Sequence, residues 1–142
     1  AFKFPHPRSP GLNFSFSGLK TSVLYFLKKE KEKNPDFVEQ HKNDLCASVQ
    51  HTIVSILIEK LEKASGQTGI KEIAIAGGVS ANSGLRKALL KMKASRGWNI
   101  FIPSFEYCTD NAAMIAVTGY FKYLKGEFAP ENAVPFARFT GF

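Results

Sequence analysis

Apolar and polar positions along this chain follow two different spacings, which separate predicted helices from predicted strands. Apolar residues three or four apart predict helices, whereas strict alternation or a short continuous apolar run predicts strands. The two kinds of element follow one another along the chain, as is typical of an α/β protein. The predicted elements are a strand at Asn13–Ser17, a helix from about Leu19, a helix from Asn34 to about Ala64, a strand at Ile70–Ala76, a helix from Ser83 to about Ala94, a strand at residues 98–102 and a helix from Thr109 to about Lys125.

The burial expected for these elements follows from their patterns. Phe14 and Phe16 alternate with hydroxyl side chains, so we expect both rings on the buried face of a strand. The run Ile70–Ala76 is nearly all apolar, as in strands that are buried on both faces of a parallel sheet. The last helix is apolar on almost every side, and we expect it to be buried. Gly66 and Gly69 are expected to end the long helix.

Two glycines, Gly77 and Gly78, stand where the second predicted strand gives way to a helix. Glycine lets the backbone turn and lets another group approach it closely, and a helix that starts nearby offers unpaired N–H groups to an anion or a nucleotide. The run is neither a Walker A loop nor a GxGxxG motif, so an ordinary tight turn remains an alternative. Asn82 is similarly open: capping the helix is the default, and hydrogen bonding to a base or ribose is the alternative.

Thr109 and Asp110 open the last predicted helix. Thr109 suits the N-cap, and Asp110 in the first turn would stabilise the helix through its dipole by about 0.3–1 kcal/mol. A carboxylate there could also complete a metal site, but one carboxylate needs partner ligands. The three histidines form no HExxH motif or close pair, and we expect His41 and His51 to be surface or packing residues.

The composition is that of a globular protein with a basic net charge. Hydrophobic residues make up 44% and charged residues 22% of the 142-residue chain, and no apolar run is long enough to span a bilayer. The net charge of +7 can attract nucleic acid, but it gives no preference for a particular nucleic acid sequence. Cys46 and Cys108 lack metal-type spacing, so we expect reduced thiols and a cytoplasmic protein. Because the chain starts without Met or a secretory signal, we expect it to be part of a longer protein.

Four blocks, in order along the chain, resemble one protein family. They are NFSFSGLKTSV, LCASVQHTIVSILIEKL, IAIAGGVSANSGLRKAL and EYCTDNAAMIAVTGYFKY, and VPFAR near the end is similar to the family's Pro-Arg tail. The chain thus resembles the C-terminal half of the bacterial TsaD family, also called Gcp or YgjD and formerly named O-sialoglycoprotein endopeptidase or glycoprotease. The resemblance implies an α/β fold, namely an RNase-H-like lobe of the actin-like ATPase (ASKHA) fold, with a mixed sheet flanked by helices.

The resemblance implies a tRNA-modifying transferase. Family members transfer the threonylcarbamoyl group from threonylcarbamoyl-adenylate to N6 of the adenosine next to the anticodon, with partner proteins of the TsaB and TsaE type. By analogy, Gly77 and Gly78 allow close approach of the nucleotide, Asn82 hydrogen-bonds the adenylate, and Asp110 binds the family's divalent metal, iron or zinc. Arg86 and Lys87 are the basic residues to test for contact with tRNA.

The family's metal-binding histidines lie in an HxxxH motif of the first lobe, and this sequence has no such motif. We therefore expect the isolated chain to be inactive, to hold neither metal nor nucleotide tightly, and to self-associate through exposed apolar surface. Residues 1–12 are expected to be an extended lead-in from the first lobe, residues 13–125 part of the second lobe, and residues 126–142 an irregular tail. No membrane partner is expected. A metallopeptidase, a non-catalytic module that binds RNA or protein, and an actin-like kinase lobe remain alternatives.

Overall fold

The structure, a computed structural model, describes residues 2–7 and 9–134. The chain forms two compact units, Ala1–Cys108 and Thr109–Phe142. The helices and strands show the mixed α/β composition that the sequence predicts. In chain order they are α1 (Ser17–Lys33), α2 (Phe37–Thr68), β1 (Glu72–Ala74), a 3₁₀ helix at Gly78–Ala81, α3 (Ser83–Arg96), β2 (Asn99–Phe101), a 3₁₀ helix at Phe105–Tyr107 and α4 (Ala112–Leu124).

Helix α2 forms close to its predicted place, but both ends differ from the prediction. Asn34 does not cap the helix, because its side chain instead accepts a hydrogen bond from the backbone N–H of Asp36 at 3.1 Å, and Asp36 takes the cap position. The helix ends at Gly69, which has a left-handed φ of 72°. Gly66 lies within the helix and does not end it, because a glycine inside a helix lowers the stability of the helix by only about 1 kcal/mol relative to alanine.

The first unit has two hydrophobic clusters that share α2. One cluster joins α2 to the sheet and to α3, and its buried members are Ile73, Leu85, Leu89 and Trp98. The other joins α2 to α1 and to the N-terminal segment, and its buried members are Phe4, Leu19 and Ile56. His41 belongs to this aromatic region, with its ring centroid 4.6 Å from that of Phe37, which confirms a packing role for His41.

The described sheet has two parallel strands, with Ile73 of β1 opposite Ile100 of β2. Only Ile73 is buried in β1, and both of its strand neighbours are exposed. The expected burial on both faces is therefore wrong for this chain. The reason is that the described sheet consists of β1 and β2 alone, and its buried side chain faces the cluster formed with α3.

The strand predicted at residues 13–17 is not formed. Residues 13–16 are irregular, Ser17 begins α1, and the rings of Phe14 and Phe16 stack 6.0 Å apart. Phe14 is 49% exposed, so the rings do not form a buried face. Alternation produces a strand only where a neighbouring strand can take up its backbone hydrogen bonds, and no described strand pairs with this segment.

The second unit, described for residues 109–134, contains α4. Asn111 is its N-cap and accepts a hydrogen bond from the backbone N–H of Met114 at 3.1 Å. The prediction that Thr109 caps the helix with Asp110 in its first turn is therefore wrong. The expected burial is also wrong, since no residue of α4 is buried. The described part of this unit has no second helix or strand that could cover it.

Three further expectations can be compared with the structure. Both cysteines are free, as predicted, with Cys46 exposed and Cys108 buried. Among the described helices, none combines the length and the hydropathy needed to cross a bilayer. The segment similar to the family's Pro-Arg tail falls, apart from Val134, outside the described residues.

Candidate functional site

The double-glycine turn needs glycine at its first position. Gly77 has φ 77° and ψ 174°, a conformation that side chains with a Cβ rarely adopt. Gly78 does not have a positive φ, so the backbone itself does not require glycine there. A Cβ added at either residue would meet nothing within 4 Å, which leaves the outer face of the turn open to another group.

A short 3₁₀ helix, Gly78–Ala81, separates the glycines from α3. It is closed by hydrogen bonds from the Ser80 N–H to the Gly77 carbonyl at 2.9 Å and from the Asn82 N–H to the Val79 carbonyl at 3.0 Å. Helix α3 therefore starts at Ser83, as expected, but its first turn lies about one helical turn further along the chain than the glycines. Asn82, at the junction, is the residue through which the turn and α3 are joined.

Asn82 is the N-cap of α3, which confirms the default prediction. Its Oδ1 accepts a hydrogen bond from the Leu85 backbone N–H at 3.0 Å and another from Gln50 Nε2 at 3.2 Å. Within the described residues, its amide nitrogen donates no hydrogen bond. Capping and ligand binding are therefore not alternatives at this residue, because they use different atoms of the same side chain.

Gln50 of α2 is a member of the site that sequence reasoning missed. A Cβ at Gly84 would meet Gln50 Nε2, the end of a flexible side chain, so glycine at that position leaves the Gln50 amide free to reach Asn82. The signal was a glycine in the first turn of a predicted helix, where it is unfavourable unless close packing requires it.

An apolar groove runs from α1 and α2 to the turn. It consists of two cavities of about 540 and 640 Å³, each of the size of a small-molecule pocket, roughly 300–1,000 Å³. The polar side chains of the first cavity are Lys42, Cys46, Gln50 and Asn82. The apolar residues common to both cavities, which define the groove, are Val23, Val49, Ile53, Leu57 and Val79.

Arg86 makes internal contacts. Its Nε donates to the Ser80 carbonyl at 2.6 Å, and its Nη2 donates to the Pro103 carbonyl at 2.7 Å. Its guanidinium carbon lies 4.0 Å from the centre of the Phe105 ring. These contacts bind Arg86 to its own chain, whereas Lys87 is exposed, so only Lys87 of the pair is suited to contact an external partner.

Asp110 lies in the second unit and is exposed, one residue before the N-cap of α4. Across residues 2–7 and 9–134, no three His, Cys, Asp or Glu side chains come together in a way that could hold a metal ion. A single carboxylate does not make a metal site. The described residues therefore do not fit a metal by themselves.

Ser55, His6 and Glu59 form a hydrogen-bonded series that the sequence did not reveal. Ser55 Oγ lies 3.0 Å from His6 Nε2, and His6 Nδ1 lies 3.2 Å from Glu59 Oε2. The order matches a serine hydrolase, which bears on the older peptidase name. However, Ser55 lies within α2 and also donates to the Thr52 carbonyl at 2.9 Å. The backbone N–H groups around Ser55 are used by the helix, so they cannot stabilise an oxyanion as acyl transfer requires.

Comparison with known proteins identifies close relatives. The model of the family described as "TsaD: tRNA N6-adenosine threonylcarbamoyltransferase" matches residues 1–117. A protein of that name from Christiangramia forsetii is 57% identical over 98% of this chain and 41% of its own length. One from Porphyromonas gingivalis is 54% identical over 99% and 41%, and one from Caldicellulosiruptor bescii is 47% identical over 95% and 40%. The chain spans about 41% of the length of the first two of these relatives.

Proposed function

Since the chain belongs to the TsaD family, whose model matches residues 1–117, we propose that it is part of a tRNA N6-adenosine threonylcarbamoyltransferase. The observation that carries the proposal is the similarity of nearly the whole chain, at 57% identity, to a protein with that name. The complete enzyme would join N6 of the adenosine beside the tRNA anticodon to the carbamoyl carbon of threonylcarbamoyl-adenylate. The bond from that carbon to the adenylate phosphate oxygen breaks, AMP leaves, and N6 loses a proton.

The turn and the groove next to it are our candidate for the nucleotide site. Three observations support this placement. The face of Gly77 and Gly78 is open, Asn82 has an amide nitrogen without a partner among the described residues, and the apolar groove begins at the same residue. In this arrangement the Asn82 amide would donate to the adenylate and orient it, while apolar side chains of the groove would exclude water from its ring.

The lobe assignment belongs to the same proposal. A parallel β–α–β unit built from β1, α3 and β2, with α2 packed against α3 and α1 packed against α2, is compatible with part of an RNase-H-like lobe of the actin-like fold. The boundaries at residues 12 and 125 stay predictions. The first lobe would come from the part of the protein that lies outside the 142 residues.

Asp110 is proposed as one ligand of a divalent metal, iron or zinc, whose histidine ligands would come from the first lobe. When bound, such an ion would act as a Lewis acid. Because the described residues supply one carboxylate and do not make a metal site, we derive no step of the reaction through the ion.

The partners proposed for the complete protein are tRNA and proteins of the TsaB and TsaE type, in the cytoplasm. Lys87 and Lys91 are four residues apart on α3, about 6 Å along the helix axis, and both are charged side chains that could contact a nucleic acid backbone. Within the described residues, neither forms a salt bridge. Self-association of the chain is also proposed, because α4 presents apolar side chains such as Ile115, which is 77% exposed.

Reconstitution tests the proposal. The full-length protein that contains this chain would be incubated with tRNA, threonine, bicarbonate, ATP and its partner proteins. We expect threonylcarbamoyladenosine in the digested tRNA by mass spectrometry, and no product when this chain is used alone. A phosphorylated small hydroxylated substrate in place of the modified tRNA would favour the kinase alternative, and peptide cleavage would favour the peptidase. RNA or protein binding without any product would favour the non-catalytic module.

A further inference from the structure

We propose that Arg86 is a positioning residue that joins the turn bearing Asn82 to the segment 103–108, so that the two respond to a ligand together. Its role in ligand response rests on the nucleotide site proposed above, whereas the link itself rests on contacts within the first unit.

A single guanidinium group reaches both segments. Arg86 Nε donates to the Ser80 carbonyl, six residues earlier, and Nη2 donates to the Pro103 carbonyl, 17 residues later. The same Nη2 lies 3.1 Å from Cys108 Sγ, 22 residues later. Hydrogen bonds from a charged donor are among the stronger ones in proteins, and the planar group fixes the angle between the two carbonyls that it holds.

The surroundings of the guanidinium are partly shielded from water. The Phe105 ring lies over it at 4.0 Å, a distance at which a cation is attracted to an aromatic face. Ser80 is 1% and Cys108 is 2% exposed, so the inner sides of both segments are buried next to Arg86. Screening by water is weaker at such a position than at the surface.

No other described hydrogen bond joins the turn at residues 77–82 to the segment 103–108. The 3₁₀ turn is closed by bonds among its own residues, and the helix Phe105–Tyr107 is closed by bonds from the Tyr107 and Cys108 N–H groups to Ser104 and Phe105. Among the described residues, no backbone hydrogen bond runs from residues 77–82 to residues 103–108. The Arg86 side chain is therefore the polar link between the two segments.

The position of this link gives it a functional meaning. Asn82 follows Ser80 by two residues, and Asp110 follows Cys108 by two residues. A ligand that orders the turn would, through Arg86, also order the segment that leads to Thr109. Lysine cannot replace arginine here, because a single ammonium group cannot stack on Phe105 while it bridges two carbonyls in a fixed plane.

Hydrogen exchange of backbone amides tests the link in the full 142-residue chain. We expect Arg86→Met to raise exchange by at least about tenfold at both residues 78–82 and residues 104–108. Lys87→Met, which removes the neighbouring exposed charge, should change neither segment. Arg86→Lys keeps the charge and the apolar stem, so it should fold and still raise exchange in both segments. If Arg86→Met does not fold, the exchange rates of the Arg86→Lys variant decide whether Arg86 links the two segments. Faster exchange in one segment only, or an equal effect of Lys87→Met, would overturn the proposal.

A second arm uses AMP in large excess, because the chain is expected to hold a nucleotide weakly. In the wild-type chain, AMP should slow exchange in both segments; in Arg86→Lys it should slow exchange in the turn alone. Protection of both segments in the variant would contradict a role for Arg86 in the response. If AMP protects neither segment of the wild type, the proposed nucleotide site and the ligand response fail together, and the first arm still decides the link.

Discussion

Replacing Asn82 separates its structural contribution from its proposed binding role. The structure assigns the cap and the Gln50 contact to Oδ1, at 3.0 and 3.2 Å, and leaves the amide nitrogen without a partner among the described residues. Asn82→Ala removes both atoms. Asn82→Asp and Asn82→Ser keep an oxygen that can accept hydrogen bonds and lose the amide donors. The three variants together therefore distinguish the capping role of Oδ1 from the proposed binding role of the amide nitrogen.

The expected loss of stability follows from the two bonds. Loss of an N-cap costs about 0.5–2 kcal/mol, and loss of the bond from Gln50 costs about 0.5–1.5 kcal/mol. We expect Asn82→Ala to lower the free energy of unfolding by roughly 1–3 kcal/mol, a sizeable part of the ~5–15 kcal/mol typical of a domain. Asn82→Ser should lose up to about 0.5–1.5 kcal/mol, because serine is an equally good cap but its shorter side chain no longer reaches the Gln50 amide. Asn82→Asp keeps both acceptor positions, so it should stay within about 0.5 kcal/mol of the wild type or gain slightly from the helix dipole.

Urea unfolding measures the stability of each variant, and calorimetric titration with AMP measures binding. All three variants should bind AMP more weakly than the wild type, whereas Asn82→Asp should unfold at the urea concentration of the wild type, Asn82→Ala at a clearly lower one and Asn82→Ser between them. The neutral Asn82→Ser variant controls for the repulsion between aspartate and phosphate. Wild-type affinity in Asn82→Ser would refute the role of the amide donors, and an unfolding midpoint of Asn82→Ser as low as that of Asn82→Ala would refute the assignment of the cap.

Further substitutions test the geometry around the turn and the proposed tRNA contact. Gly77→Ala should destabilise the chain by roughly 1–3 kcal/mol, because φ 77° with ψ 174° is a conformation that essentially only glycine adopts. Gly78→Ala should not, as thermal unfolding will show; equal losses would contradict the backbone assignment. Gly84→Ala should push the Gln50 amide away from Asn82, which costs about 0.5–1.5 kcal/mol and is offset by up to about 1 kcal/mol from the better helix propensity of alanine. In a chain that already carries Gln50→Ala, Gly84→Ala should cost nothing; an equal loss in that chain would speak against the displacement. In the full-length protein, Lys87→Glu should reduce the salt dependence of tRNA binding by about one unit of slope; an unchanged slope would exclude Lys87 from the RNA contact.

The sequence predicted those features that depend on local physics. The left-handed Gly69 that ends α2 and the Asn82 cap of α3 are set by residues within one turn of each other, and such signals can be read directly from the chain. Near Asp110 the same reasoning failed. Both Thr109 and Asn111 are good caps, and the spacing of apolar residues in α4 does not distinguish between them.

Features that depend on distant residues were not predictable from the pattern. Phe14 and Phe16 alternate like a strand, but the pattern does not state whether a partner strand exists. The contact of Gln50 with Asn82 joins residues 32 positions apart, and the contacts of Arg86 span 6 to 22 positions. A basic residue at a helix start is usually solvated, and only the packing of residues 103–108 shows that Arg86 is half-buried and bonded to its own chain.

The central claim is that the Gly77–Asn82 turn and its groove hold the nucleotide of the transferase. NMR spectra of the ¹⁵N-labelled chain, recorded during titration with AMP, test it most directly. The account predicts that the backbone signals of Gly77 and Gly78 and the side-chain amide signal of Asn82 shift together and saturate with one dissociation constant. Saturable shifts confined to α4, or none in residues 77–82 with AMP in large excess, would contradict it.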